Sequence, residues 1–196
     1  MSKSSEDAVV ILLASGLSTR FENGDKLLAN LNGKLVLEHV IETFSRVNAR
    51  KLVVIGVEQN DRQYLFENTD WEVLKNTLPE LGQGSSVALA INHLNQDNPL
   101  KVLVCLADMP FIPVEHYQKL LASPVAASTV TFTKSENYVG PPALFPESSL
   151  SFLGNLSGDE GARKTLPPET HIQFIELENH QVLDIDTIED LHKLNN

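Results

Sequence analysis

The chain has 196 residues, with 15 Lys and Arg against 26 Asp and Glu, and carries a formal charge of −11 at neutral pH. At 42% apolar and 21% charged residues, it has the composition of a globular protein able to bury its own core, and neither a disordered nor a disulfide-stapled one. The acidic balance excludes a nucleic-acid groove and an anionic membrane surface, both of which recruit through Lys and Arg. A small anionic ligand stays compatible if a few local cations and a divalent metal offset the field.

In chain order, Ala8 to Ala14 is apolar and β-branched, as expected of a strand covered on both faces. Leu37, Val40, Ile41, Phe44 and Val47 recur at helical spacing, and Lys51 to Val57 reads as a second buried strand. Asp61 to Asn68 suggests a short helix and Trp71 to Leu74 a short strand. Val87, Ala90, Ile91 and Leu94 mark one helical face after a Gly-Gln-Gly-Ser-Ser start, and Lys101 to Ala107 is a third buried strand. Pro113 opens a helix carrying Tyr117, Leu120 and Leu121, at a first turn where its missing N–H does no harm. Val130 to Thr133 and Ile172 to Leu177 read as strands, the latter at an edge, and Thr187-Ile-Glu-Asp190 fits a capping box opening a last helix.

This alternation predicts a mainly parallel central sheet flanked by helices. The expected layout is a polar, flexible tag at residues 1–7 and one domain over 8–196. Cys105 stands alone, the first residues lack the basic-then-apolar layout of a signal peptide, and no apolar run approaches bilayer length. The expectation is a cytoplasmic protein without a membrane or nucleic-acid partner.

In parallel sheets, ligands bind beyond the carboxyl ends of the strands, which directs attention to the loops after Ala14 and Ala107. The first, Ala14-Ser-Gly-Leu-Ser-Thr-Arg-Phe-Glu-Asn-Gly-Asp-Lys26, has small residues whose N–H groups could cradle phosphate, with Arg20 and Lys26 as counter-charges. The alternative is a flexible connector with two solvated cations. It is neither a Walker loop nor a dinucleotide fingerprint. Gly16-Leu-Ser18 also resembles a nucleophile elbow, but Arg20 replaces the second glycine of that motif. Asp108, just beyond a buried strand and stiffened by Pro110, is a hard oxygen ligand for Mg²⁺ or a turn-capping acid. Asp184 and Asp186, two apart on an expected strand, would point the same way and supply a second metal contact, or cap the final helix. Gly82-Gln-Gly84-Ser-Ser86 leads into a helix N-terminus able to hold a phosphate, ribose or base, or serves as a plain cap. His39, His93, His116, His171, His180 and His192 show no metal spacing, and Cys105 reads as core.

Six segments in order resemble the nucleotidyltransferases that attach a nucleotide to molybdopterin, especially the molybdenum cofactor cytidylyltransferases. They are Leu13-Ala-Ser-Gly-Leu-Ser-Thr-Arg-Phe21 with Lys26; Gly82-Gln-Gly84-Ser-Ser86 preceded by Asn76; Ala107-Asp108-Met-Pro110; Gly140-Pro-Pro-Ala-Leu-Phe145; Gly158-Asp-Glu-Gly-Ala-Arg163; and Asp184-Ile-Asp-Thr-Ile-Glu-Asp-Leu191. The resemblance implies a single-domain, Rossmann-like nucleotidyltransferase fold of the GT-A-like kind. It further implies that Leu13, Ala14, Ser15, Gly16, Ser18 and Lys26, with Asn76, Gly82, Ser85, Ser86 and Asp108, bind the nucleotide. Arg20, Lys26 and Asp108 would be catalytic, and Asp108 with Asp186 would hold Mg²⁺; Asp184 and Asp159 compete with Asp186 for the second place. The expected substrates are a nucleoside triphosphate, CTP first, and molybdopterin or a similar phosphorylated acceptor, with transient docking to a molybdenum hydroxylase. Ser15 stands where that family has Ala or Gly and separates cytidylyl from guanylyl donors, so the base stays open. Glu22 and Leu35 also depart from the pattern.

Such chemistry needs no covalent nucleophile, because a phosphate monoester is already ionised near neutral pH. It needs alignment and charge neutralisation at the α-phosphate. The competing readings are a sibling transferase for another small phosphate, a nucleotide-binding regulatory module without catalysis, and a hydrolase using Ser18.

Overall fold

The computed structural model describes residues 8–22, 24–94, 99–124, 128–158 and 162–195. The expected tag, residues 1–7, and Asp159 lie outside the described residues. Ala8–Leu13 forms β1, buried along its whole length. Its side chains alternate, with Val9, Ile11 and Leu13 in one core layer and Val10 and Leu12 in the other, the period-two signature of a strand covered on both faces. A small hairpin follows, β2 (Asn30–Leu31) against β3 (Lys34–Leu35), turning through Asn32 and Gly33 at positive φ. It leads into α1 (Val36–Phe44), β4 (Arg50–Gly56), α2 (Asn60–Tyr64) and β5 (Trp71–Asn76). Then come α3 (Gln83–Leu94), β6 (Lys101–Leu106), α4 (Val114–Ala122), β7 (Thr129–Lys134), β8 (Val139–Pro146), α5 (Leu150–Leu153), β9 (His171–Glu176) and α6 (Ile188–Leu194).

The main sheet runs β5-β4-β1-β6-β8-β7-β9. β1, β4, β5 and β6 pair in parallel, β8 runs against both β6 and β7, and β9 lies parallel to β7 at the edge. The sheet is therefore mainly parallel and flanked by helices, as the alternation implied. On one side Phe44 of α1 packs edge-on against Trp71 at 5.4 Å and against Tyr117 of α4 at 4.4 Å between ring centroids. On the other, Val87, Ala90, Ile91 and Leu94 of α3 and Leu153 of α5 cover Val9 and Ile11. Each buried aliphatic or aromatic side chain contributes about 1.5–3 kcal/mol over exposure, so these two layers fix the sheet's position and twist.

The β2–β3 hairpin and α5 have no counterpart in the sequence reading, α2 ends at Tyr64 and not at Asn68, and three further features differ. β8 is not visible as a period-two pattern because Pro141 and Pro142, joined by a cis peptide, interrupt it. Pro113 is the N-cap of α4, one position before the expected first turn. Asp184 and Asp186 do not lie on a strand; they flank the fully buried Ile185 in a segment without regular secondary structure, where the Ile185 N–H donates to the Asp108 carbonyl at 3.0 Å. Burying Ile185 turns both acids to the same side, so the expected shared direction is kept without a ladder.

The strand ends place the chemistry. Ala14 N–H donates to Val54 O at 2.8 Å and Ala107 N–H to Leu13 O at 3.1 Å, which brings the loops after β1 and β6 together beyond the carboxyl edge of the sheet.

Candidate active site

The two loops and the segment before α6 enclose a cleft of about 470 Å³. At its floor the Lys26 ammonium donates to Asp108 Oδ2 at 2.5 Å and to Asp186 Oδ1 at 2.7 Å. The other Asp186 oxygen accepts an ion pair from Arg20 Nη1 at 2.8 Å, and the Arg20 side chain is 73% exposed. Burial alone would lower the Lys26 pKa, but the charges and hydrogen bonds of Asp108 and Asp186 outweigh it and hold the ammonium above the usual lysine value. Asp184 lines the same cleft and is pushed up, first by burial and then by repulsion from Asp186 and Asp108. Tyr138, whose hydroxyl donates to Pro141 O at 2.5 Å, is raised by burial and by Asp108 and Asp184. With Glu80 at its wall, the cleft is lined by four acids against two cations, an acid-rich site on an acidic chain.

Lys26 is aimed by its neighbours in the chain. Asp25 caps the short 3-10 turn Lys26–Leu28 by accepting from Leu27 N–H at 3.0 Å. Ser18, at φ 54°, accepts the Lys26 N–H on its hydroxyl at 3.3 Å. The Ser18 oxygen also accepts from Arg62, and its hydroxyl donates to Asp25 Oδ1 at 3.4 Å; Asp25 is itself paired with Arg62, so the serine and its acid serve to hold the loop and not as nucleophile and base.

A buried polar cluster lies behind the loop. Ser15 and Ser86 share a hydroxyl hydrogen bond at 2.6 Å, and Asn76 Nδ2 donates to Ser86 Oγ at 2.9 Å and to Ser85 Oγ at 3.2 Å. The Asn76 carbonyl oxygen accepts from Leu78 N–H at 2.9 Å. This cluster ties the N-terminus of α3 to the loop after β1. Gly82 turns the chain at φ +84°, a conformation favourable only without a Cβ, and Gly84 N–H donates to Gly158 O at 2.9 Å. A Cβ at Gly84 would stand 2.9 Å from the Ser157 and Gly158 backbone. The opening of α3 is thereby held at the cleft wall, with Gly82 and Gln83 lining it. Of the residues expected to bind nucleotide, Leu13, Ala14, Ser15, Gly16, Lys26, Gly82 and Asp108 line the cleft. Ser18, Asn76, Ser85 and Ser86 instead brace its walls from within.

Two residues were not singled out in the sequence. Arg62 on α2, 2% exposed, donates to Asp25, Ser18 and Ala14 O, and Gln59 at the α2 N-cap donates to Ser15 O and Gly16 O. In sequence both sit in a polar run, Glu-Gln-Asn-Asp-Arg-Gln, that reads as a solvated surface helix. The Asp–Arg pairing spans 37 positions and leaves no local signal.

The donor set suits a hard divalent cation. Asp108 Oδ1 is buried and has no hydrogen-bond partner, a state that costs about 1–3 kcal/mol and needs a compensating partner. Asp108 and Asp186 converge on one positive centre, at present the Lys26 ammonium. Among the described residues, no group of three His, Cys, Asp or Glu side chains forms a ready-made metal cluster, so a cation here would take most of its ligands from substrate and water.

Loop, floor and sheet together have the layout of a nucleotidyltransferase domain, with a cleft of about 470 Å³ beyond the first strand and an acid at its floor. Residues 10–173 match the MobA-like NTP transferase domain, and the chain belongs to that family. It is 31% identical over 124 residues to the bifunctional protein GlmU of Buchnera aphidicola subsp. Acyrthosiphon pisum, covering 60% of this chain and 26% of that protein. The chain thus spans about a quarter of the length of the curated relatives it matches. Among solved structures it resembles a nucleotidyl transferase from Methanothermobacter, with a TM-score of 0.81, 16% identity and coverage of 96% and 95%. It also resembles Rv0371C of Mycobacterium tuberculosis in complex with manganese, with a TM-score of 0.77, 18% identity and coverage of 95% and 97%. Among the described residues, no helix is long and apolar enough to cross a membrane.

Proposed function

We propose that the protein is a nucleotidyltransferase that moves a nucleotide, CMP from CTP first, onto the phosphate of molybdopterin and releases pyrophosphate. The observation that carries the reading is the Asp108–Lys26–Asp186 bridge at the mouth of the loop after β1. In this reading Lys26 and Arg20 draw the triphosphate in and neutralise it, the open N–H groups after β1 hold its oxygens, and the acceptor phosphate displaces pyrophosphate from the α-phosphate. Asp108 and Asp186 would hold Mg²⁺, which when bound supplies charge neutralisation at the phosphates. A structural neighbour, Rv0371C, is described in complex with manganese, which is in keeping with a divalent cation in this proposal. The chain's acidity gives an independent reason: without a cation the four acids lining the cleft oppose a triphosphate. The six-segment resemblance supports molybdopterin as acceptor, and delivery of the product to a molybdenum hydroxylase in the cytoplasm belongs to the same proposal.

The test is pyrophosphate release with each of CTP, GTP, ATP and UTP, with Mg²⁺ and molybdopterin, against a panel of sugar and polyol phosphates. Release with CTP and molybdopterin alone is the expected result. Release only with another acceptor would replace molybdopterin, and nucleotide binding without any release would leave a regulatory module.

A further inference from the structure

The loop after β1 has a mechanical problem. Its backbone must offer N–H groups to an anion, so its carbonyls must be held away, and the loop has few apolar anchors. Leu17 and Arg20, for instance, are both exposed. The structure solves this from outside the loop. Arg62 Nη1 donates to Ala14 O at 2.5 Å, and Gln59 Nε2 donates to Ser15 O at 3.3 Å and Gly16 O at 3.1 Å. Three consecutive carbonyls are thereby gathered by two side chains spaced three apart, Gln59 at the N-cap of α2 and Arg62 within it. The Gln59 orientation is fixed chemically, since its Oε1 accepts from Gly56 N–H at 2.7 Å and only its Nε2 can serve the carbonyls. The rest of the Arg62 guanidinium closes a bidentate pair with Asp25, at 2.6 and 2.7 Å, immediately before Lys26. Among the described residues, none accepts from the N–H groups of Ser15, Gly16 or Leu17, and all three residues line the cleft.

We propose that Gln59 and Arg62 are positioning residues: a clamp on α2 that holds the carbonyls of Ala14, Ser15 and Gly16 back, leaves their neighbouring N–H groups for the nucleotide phosphates, and aims Lys26 through Asp25. Its catalytic consequence rests on the nucleotidyl-transfer reading, whereas the clamp itself is a statement about the loop. Arg62 is the stronger arm because it is buried and planar. A lysine ammonium at that position cannot reach Ala14 O and both Asp25 oxygens in the same geometry. Gln59 is half-buried, so its removal leaves the core intact.

The experiment uses the full chain, its Q59A and R62K variants, hydrogen exchange read by peptide, and steady-state kinetics with CTP. In Q59A, the amide of Phe21, which donates to Ser18 O inside the loop at 2.9 Å, is expected to exchange faster while those of β1 and β6 keep their protection. A fall in kcat/KM on the order of tenfold should accompany this, within the range that misplacement of binding groups produces. R62K should extend the faster exchange to residues 24–28 and lower kcat as well as raise KM, because Lys26 is then misaimed. Loop exchange and kinetics unchanged in Q59A would overturn the clamp, as would exchange that rises uniformly through the sheet in both variants. Selective loosening of the loop in Q59A, alongside a wild-type protein that releases pyrophosphate from none of CTP, GTP, ATP and UTP, would refute nucleotidyl transfer and leave the clamp standing.

Discussion

Replacing Asp108 by Ala separates the two things a carboxylate can do at the floor of this cleft. Its favourable contribution to folding is one charge-assisted hydrogen bond to Lys26, worth about 1.5–3 kcal/mol. Against this stand the desolvation of its unpartnered Oδ1, about 1–3 kcal/mol, and its repulsion of Asp184 and Asp186. Lys26 keeps Asp186 as a partner in the variant, so no charge is orphaned. The terms nearly cancel, and the expected change in stability is within about 1 kcal/mol, or about 2–4 °C in Tm for a chain of this size. Activity should respond very differently, because the residue that holds the cation against the phosphates is gone. A loss of about 4 kcal/mol of transition-state stabilisation corresponds to a thousandfold fall in turnover. Paired thermal denaturation and pyrophosphate-release assays at saturating Mg²⁺ check this. Near-normal turnover would remove Asp108 from the chemistry, while a Tm drop of 10 °C or more would make it a structural residue instead.

Two further predictions concern the frame around the site. His116 is buried, its Nε2 lies 2.7 Å from Thr133 Oγ1, and the Thr133 hydroxyl donates to Pro142 O at 2.7 Å. The imidazole must therefore donate from Nε2, and burial, with Lys119, pulls its pKa from 6.5 down to about 4. The unfolded chain takes up this proton first as pH falls, so the neutral histidine's contribution is complete above pH 6.5 and is lost progressively towards pH 4. The wild type should lose about 3 kcal/mol more than H116Q across that window, read from denaturant midpoints; equal slopes would show that the group titrates normally. Gly84→Ala should cost about 1–3 kcal/mol, because the added methyl meets the Ser157 and Gly158 backbone and strains the bond that anchors α3. An unchanged Tm would mean that the segment yields freely.

The sequence was most informative where one physical requirement dominates a stretch of chain. Strands buried on both faces declare themselves through unbroken apolar runs, so β1, β4 and β6 were legible almost to the residue, and with them the cleft edge where Asp108 sits. The Thr187 capping box opens α6 as expected, with Thr187 Oγ1 accepting from Asp190 N–H at 3.2 Å and Asp190 Oδ2 accepting from Thr187 N–H at 2.9 Å. β8 was hidden because Pro141 and Pro142, with Pro146 at its end, remove the donors and the alternation by which a strand is recognised. The Asn32-Gly33 pair carries a hairpin signal, but strands of only two residues give it no flanking alternation to mark them. Arg62 could not have been found: its partner Asp25 and the carbonyl of Ala14 become neighbours only once β4 lies beside β1.

The most direct test of nucleotidyl transfer follows which phosphorus of the donor reaches the acceptor. CTP labelled at the α-phosphate and, separately, at the γ-phosphate is incubated with the protein, Mg²⁺ and molybdopterin, and the products are separated. The account predicts that the α-label moves into a molybdopterin dinucleotide while the γ-label leaves in pyrophosphate, and that chelation of the metal abolishes both. Transfer of the γ-label to the acceptor, or release of the α-label as free CMP whether or not an acceptor is present, would contradict it.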